Sequence, residues 1–361
     1  MPKPFESRTD VEPSDHVVVY PTIGNMIDGG ASWRIDIYGT VYQAGSESRQ
    51  KRMLLRLLQR AAKIQPTEAQ HELFESRIRE FIAPTERGKR VALRVGDRVH
   101  YLQHVTKRNG RFAGTVKLSA RELAELRANG DLSGGILKLH VLLCDGSESN
   151  FFVHAHLLHD EGVSVVSDID DTIKVTNVHS RPALLESTFL RDFESVEGMA
   201  ALYREWADQG SAFHYVSSSP WQLYTPLAEM CDAGGFPWGS FHLRSFRLRD
   251  HMLRRLLLIR RKGKAKVIYN LMKKFPRRRF VLVGDSGEVD AEMYGRLARK
   301  CQGQVAAIYI RLLGERPLDD ERAEKAFHGL PETSVQTFRC PSELPTDLAD
   351  IAASELLLVG G

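Results

Sequence analysis

The chain has 361 residues, 42% of them hydrophobic and 27% charged, with a formal net charge of +4. That length leads us to expect about two domains, each with its own core, and the ordinary composition excludes a disordered, fibrous or collagen-like chain. No stretch approaches the roughly 18 consecutive apolar residues of a spanning helix and MPKPFESRTD has no apolar core, so we expect neither a membrane span nor a signal peptide.

Taken in chain order, the first predicted element is WRIDIYGTVY at 33–42, whose alternation of apolar and polar residues suits a half-buried strand. Residues 49–82 read as two helices, LLRLLQRAAKI and HELFESRIREFI, broken at Pro66. Strand patterns return at 90–95, 98–102, 111–118, 136–143 and 151–157, with Asn109-Gly110 and Asp145-Gly146 as turn signals. Ser119 and Glu122 have capping-box spacing and start a short helix. Residues 1–160 are therefore expected to form a β-rich, sandwich-like or barrel-like antiparallel domain with helical insertions, either a targeting module or a structural partner. His154, His156 and His159 alternate along a strand, which suits surface or hydrogen-bonded positions better than metal ligation. Cys144, Cys231, Cys301 and Cys340 stand apart, with neither zinc-site spacing nor a disulfide framework. Cytoplasmic residence, with peripheral attachment to a membrane left open, fits this usage.

From Gly162 the order changes to strand, helix, strand, helix. Strands are expected at VSVV (163–166), FHYV (213–216), FVLVG (280–284) and VAAIYI (305–310). Helices are expected near 196–208, 221–231, 264–275 and 291–300. Near-continuous apolar strands alternating with helices imply an α/β domain over 161–361, its parallel sheet covered on both faces. The segment beyond 316 is richer in Pro, Glu and Asp and is expected to wrap this domain. No internal repeat is present.

The strand ends carry the chemistry. GVSVVSDIDDTIK passes from β-branched residues to acids within a few positions. Asp168, Asp170, Ser217 and Asp285 each follow an apolar strand, where a parallel sheet opens into its crevice. Any one of them could simply start a loop or cap a helix. Together they suggest a site, because converging carboxylates repel one another unless a cation sits among them, and hard oxygen ligands suit Mg2+. An aspartate can also serve as the nucleophile of phosphoryl transfer, with Ser, Lys and backbone N–H groups stabilising the transferred group.

D-I-D-D-T at 168–172, the apolar run ending in Ser217, a lysine upstream of the fourth motif and G-D-S-G-E-V-D at 284–290 resemble, in order, the four motifs of the haloacid dehalogenase superfamily. SDIDDTIK, HYVSSSPWQLY, GFPWGSFHLR, FVLVGDSGEVDAEMY and IYIR further resemble the phosphatidate phosphatase family typified by actin-patch-associated protein, over about 162–311. The resemblance implies that Asp168 attacks phosphorus and ligates Mg2+, and that Asp170 acts as general acid and then base, its carbonyl also on the metal. Thr172 would brace that loop, or is an ordinary strand-end residue. Ser217 would bind the phosphoryl group, with Ser218 and Ser219 as competitors. Lys264, with Lys266 as runner-up, would neutralise phosphate, or either is a solvated helix residue. Asp285 would complete the metal shell, with Asp290 as a further metal-facing acid or a plain helix N-cap.

Only about two dozen residues separate Thr172 from the next helix, too few for a large cap over the site, so a bulky substrate is expected above a small metabolite. Residues 244–279 hold fifteen Lys or Arg and one acid, Asp250. Their core, HMLRRLLLIRRKGK, suits an anionic membrane surface, or is a basic helix packed on its own protein. No nucleic acid is expected, since no stacking aromatics interleave with the charge. Three readings stand: a Mg2+-dependent phosphatase acting on phosphatidate or a related lipid phosphate, the same chemistry on a soluble or macromolecular phosphomonoester, or a non-catalytic membrane-binding scaffold. The intact set of Asp168, Asp170, Ser217, Lys264 and Asp285 disfavours the last.

Overall fold

The structure, a computed structural model, describes residues 9–43, 67–176, 186–244, 262–314 and 317–348. The expected helix at 54–64 and the basic run at 245–261 lie outside the described residues. Two compact units divide the chain, one of residues 9–43 with Ile78–His159, the other of residues 67–77 with the chain from Asp160 onward.

The first unit is built on strands β1 (Asp15–Val19), β2 (Thr22–Ile27), β3 (Ser32–Gln43), β4 (Ala92–Val95), β5 (Arg98–Tyr101), β6 (Arg111–Ser119), β7 (Leu132–Ser133), β8 (Ile136–Leu142) and β9 (Glu148–Leu158). They form a nine-stranded sheet in the order β1-β3-β2-β9-β8-β4-β5, with β6 added to β3 and β7 to β8. Its pairings are antiparallel except β2 with β9. Strand β3 pairs with β2 through its first residues, with β1 through its last, and with β6 along the other edge, so one long strand serves three partners. Its inward residues Trp33, Ile35 and Ile37 meet Val17, Phe112, Val116, Leu139 and Val153 in the core. The two expected turns are present, with Gly110 and Gly146 at φ 68° and 83°, a region that glycine enters without steric cost. Helix α1 (Glu68–Ile82) precedes β4, and α2 (Ala120–Ala128) follows β6. In α2 the capping box forms as its sequence requires: Glu122 N–H donates to Ser119 Oγ at 3.2 Å, and Ser119 N–H to Glu122 Oε2 at 2.6 Å.

The second unit is α/β. Its strands are β10 (Val163–Ser167), β11 (Ala212–Pro220), β12 (Gly239–Arg244), β13 (Arg279–Asp285), β14 (Val305–Arg311) and β15 (Val335–Phe338). Its helices are α3 (Met199–Asp208), α4 (Tyr224–Ala233), α5 (Lys262–Lys274), α6 (Asp290–Lys300) and α7 (Asp320–Phe327). The six strands run parallel in the order β12-β11-β10-β13-β14-β15. The chain therefore winds outward from β10 in one direction, returns, and winds outward the other way from β13. The reversal falls between β10 and β13, and a crevice opens at the carboxyl ends of such a pair.

Burial explains why β10 tolerates serine. Ser164 Oγ accepts from Arg278 Nε at 2.9 Å and lies 3.2 Å from His214 Nε2, whose Nδ1 is 2.8 Å from Ser240 Oγ. A polar seam thus crosses three strands with its groups satisfied. The tail does more than wrap the unit: β15 pairs with β14 as the last strand of the sheet. Farther on, the Pro345 carbonyl accepts from Trp206 Nε1 at 2.8 Å. No helix among the described residues is long and apolar enough to cross a membrane.

Candidate active site

The chain leaves β10 at Ser167, and the Asp168 N–H continues the ladder by donating to Val283 O of β13 at 2.8 Å. Asp168 therefore stands at the switch point, 2% exposed. The next turn folds tightly because the Ile169 carbonyl accepts the N–H groups of Thr172, Ile173 and Lys174. Asp171 takes φ 57°, a left-handed conformation that Asp enters more readily than most side chains. Arg311 Nη1 holds its carbonyl at 2.7 Å. This turn brings Lys174 back over Asp170, with Nζ 2.8 Å from Oδ1.

Asp170 has further partners. Ser217 and Ser219, from the end of β11, donate their hydroxyls to Oδ2 at 3.0 and 2.8 Å. Burial works to raise its carboxyl, but the charge and hydrogen bond of Lys174, with the two serines, outweigh it and hold the group at about 2. Asp170 is thus an ionised acceptor in this state. Ser217 Oγ also accepts the Ser219 N–H at 2.9 Å.

A second cluster faces it. Lys264, on the first turn of α5, places Nζ 2.9 Å from Asp168 Oδ1 and 2.7 and 2.9 Å from the two oxygens of Asp290. Asp290 begins α6, preceded by Val289 in the cap position, so the plain N-cap reading of Asp290 does not hold. Gly284 makes room for it: a Cβ there would lie 2.8 Å from Asp290 Cβ and from a Tyr294 ring carbon. Asp285 closes β13 and accepts the N–H groups of Gly287 and Glu288 on Oδ1, at 2.7 and 3.1 Å.

Lys264 pairs with two acids, Asp168 and Asp290, and two more, Glu288 and Asp285, stand near them. Burial holds the Asp168 carboxyl well above the usual carboxylate range against the pull of Lys264, with Asp290, Glu288 and Asp285 adding to the rise. Burial, Asp290 and Glu288 push Asp285 up to about 7. Burial works against the Lys264 ammonium, but Asp168 and Asp290 outweigh it and hold that group above its ordinary value. Asp168 Oδ2 and Asp285 Oδ2 are buried with no hydrogen-bond partner. Buried acceptors left over in an over-acidic cluster are what a hard cation would satisfy.

The predicted residues thus fall into two groups. Asp168, Lys264 and Asp290 meet directly, with Asp285 at the next strand end. Asp170 and Ser217 meet beside them. Among the described residues, the acids whose oxygens approach within 4.8 Å of one another are Asp168, Glu288 and Asp290; Asp170 turns its carboxylate to Lys174 and the serines instead. Thr172 is fully buried with Oγ1 unpartnered. Lys266 is exposed, and Ser218 is half-buried. Glu288 and Lys174 are missed by sequence reasoning, although both lie inside the quoted motif stretches.

Residues 163–312 match the family model for the phosphatidate phosphatase APP1 catalytic domain. The expected resemblance to the phosphatidate phosphatase family holds. Phosphatidate phosphatase APP1 of Saccharomyces cerevisiae is 33% identical over 186 residues, 49% of this chain and 31% of that protein. An uncharacterized Schizosaccharomyces pombe protein is 30% identical over 159 residues, 43% of this chain and 26% of that one. The chain thus spans less than a third of the length of these curated relatives. Among solved structures, D,D-heptose 1.7-bisphosphate phosphatase from B. bronchiseptica, complexed with magnesium and phosphate, is 11% identical. It covers 50% of this chain and 94% of its own, at a TM-score of 0.29.

Proposed function

We propose that the second unit is a Mg2+-dependent phosphatase that hydrolyses a phosphomonoester through an aspartyl-phosphate on Asp168, with phosphatidate or a related lipid phosphate as substrate. The observation that carries this reading is the state of Asp168. It sits at the switch point with Oδ1 held by Lys264 and Oδ2 buried and unpartnered. The ionised form that attack requires would be favoured by a bound cation, against the burial that raises this carboxyl. A carboxylate with one oxygen held is oriented for attack without the entropy cost of finding its pose.

The remaining residues divide the work. Asp168 attacks phosphorus as the ester P–O bond breaks, and the leaving oxygen takes a proton from Asp170. In the second half Asp170 takes a proton from water as that water displaces phosphate from Asp168. Asp168 is freed as a carboxylate, and Asp170 again carries the proton with which it entered the first half, which it returns to solvent to regain its resting, ionised state. A carboxyl held at about 2 is already ionised for the second half. The first half requires that Asp170 gain a proton, which needs Lys174, the largest influence holding it low, to turn from Oδ1 to bound substrate together with the serine hydroxyls. Lys264 and Ser217 offer donors to the phosphoryl oxygens. Asp168 and Asp285, with Glu288 and Asp290 beside them, would hold Mg2+, which neutralises negative charge on the transferred group.

The lipid substrate rests on the family match and on the basic run from 244 to 279, which suits an anionic surface. On this reading the protein works at the membrane periphery. Acid-quenched turnover mixtures analysed by peptide mass spectrometry test the mechanism. A phosphoryl group on the peptide containing Asp168, absent in Asp168→Asn, is the expected result; turnover with no such adduct at any quench time would sink it.

A further inference from the structure

Asp285 is oriented by a device from beyond the matched family region. Its Oδ1 accepts the N–H groups of Gly287 and Glu288, which leaves Oδ2 as the unpartnered oxygen. The loop that supplies those amides is gripped from behind by Arg322 of α7. Nη1 donates to Ser286 O at 2.6 Å and Nη2 to Glu288 O at 2.5 Å. Nε and Nη2 also reach the two oxygens of Glu292 on α6, at 2.8 and 3.2 Å. Ser286 O and the Gly287 N–H belong to one peptide group. The guanidinium therefore polarises the same amide that donates to Asp285, and its planar fork fixes the plane of that peptide.

The arm that carries Arg322 is itself well seated. Asp319 accepts the Arg322 N–H as an N-cap at 2.8 Å. A Cβ on Gly295 of α6 would overlap the Ala326 carbonyl, so α7 packs there against bare backbone. Arg299 Nη1 donates to the carbonyls of Ala326 and His328, at 3.0 Å each. We infer that Arg322 is a positioning residue for Asp285. Through the Ser286–Glu288 loop it selects which carboxylate oxygen is buried in backbone hydrogen bonds and which is presented to the cation. The cation rests on the proposed function; the loop geometry does not.

The test uses the full chain, with Mg2+ alone as the probe in calorimetric titration, and hydrogen exchange of the loop amides as a metal-free readout. Arg322→Ala and Arg322→Lys are expected to weaken Mg2+ binding by roughly tenfold, the low end of what outer-sphere partners contribute, and to speed exchange at Gly287 and Glu288. Lysine keeps the charge but cannot grip both carbonyls, and it carries the comparison should the alanine variant fail to fold. Asp319→Ala removes the helix cap but keeps the fork, and should leave Mg2+ affinity close to that of wild type, well short of the roughly tenfold loss expected of an outer-sphere partner. Equal loss in Asp319→Ala and Arg322→Ala would reduce Arg322 to a structural brace and overturn the inference, as would unchanged loop exchange in both Arg322 variants. Failure of the wild type to bind Mg2+ would overturn the metal reading instead, with loop exchange still deciding the role of Arg322.

Discussion

Asp285→Asn should make the metal-free protein more stable at pH 8. The Asp285 carboxyl is displaced from an ordinary 3.8 to about 7, chiefly by burial and then by Asp290 and Glu288. At ~1.4 kcal/mol per pH unit, keeping it ionised in the folded state costs on the order of 4 kcal/mol above pH 7. The folded-state value lies above the unfolded one, so the folded chain holds the extra proton. The stabilisation is complete below pH 3.8 and lost as pH rises through about 7. Asparagine keeps the acceptor for Gly287 and Glu288 but buries an amide nitrogen where Oδ2 stands, which costs about 1–3 kcal/mol. The net expectation in EDTA is a gain of about 1–3 kcal/mol at pH 8 and a loss of similar size near pH 4. Urea denaturation in EDTA reads this through Trp206, Trp221 and Trp238, three of the four tryptophans, all in the second unit. A variant less stable than wild type at pH 8, or a wild type whose stability is flat from pH 5 to 8, would contradict the raised Asp285 carboxyl.

Other expectations follow from the same contacts. Lys174→Met should cost about 2–4 kcal/mol at neutral pH, because it strands the Asp170 carboxylate against two serines and removes the largest influence that lowers its pKa. The Asp170 contribution lies in the opposite window from that of Asp285: present above 3.8 and lost as pH falls through about 2. In a thermal scan the destabilisation by Lys174→Met should therefore shrink toward pH 2, and an undiminished penalty there would count against the pairing. Gly284→Ala should push Asp290 off Lys264, with roughly a hundredfold drop in turnover and about 1–3 kcal/mol of lost stability; wild-type activity would show that the loop gives way at no cost. Arg278→Ala, which breaks the bond to Ser164 at the far end of β10, should lower stability by about 2–4 kcal/mol with little change in kcat. A large kcat loss at unchanged stability would contradict that division.

The strand ends were the legible part of the site. An apolar β-branched run that stops at Asp168 or Asp285 reports both the strand and the place where it opens, because a buried parallel strand leaves little freedom for its neighbours. Lys264 was legible for a related reason, as the residue that opens the helix before β13. Glu288 and Lys174 were not. Each is aimed by a turn whose shape depends on hydrogen bonds among residues already in place: the amides around Asp285 in one case, the Ile169 carbonyl and left-handed Asp171 in the other. The edges of the parallel sheet were hidden too. VQTF in β15 is short and half polar, and it becomes a strand only because β14 offers an edge to pair with. In β3, by contrast, long alternation sufficed even though that strand serves three partners. The three partners themselves could not be read, since alternation fixes which face is buried and says nothing of which edge meets which.

We propose Asp168 as the nucleophile of a Mg2+-dependent lipid phosphatase, and one assay decides it. The direct measurement is phosphate release from phosphatidate in mixed micelles, with Mg2+ or EDTA, by wild type and Asp168→Asn, with a soluble aryl phosphate in parallel. Release from phosphatidate is expected from the wild type with Mg2+ only, and none from Asp168→Asn. Release from the aryl phosphate alone would contradict the lipid substrate, and equal release by Asp168→Asn would contradict the nucleophile itself.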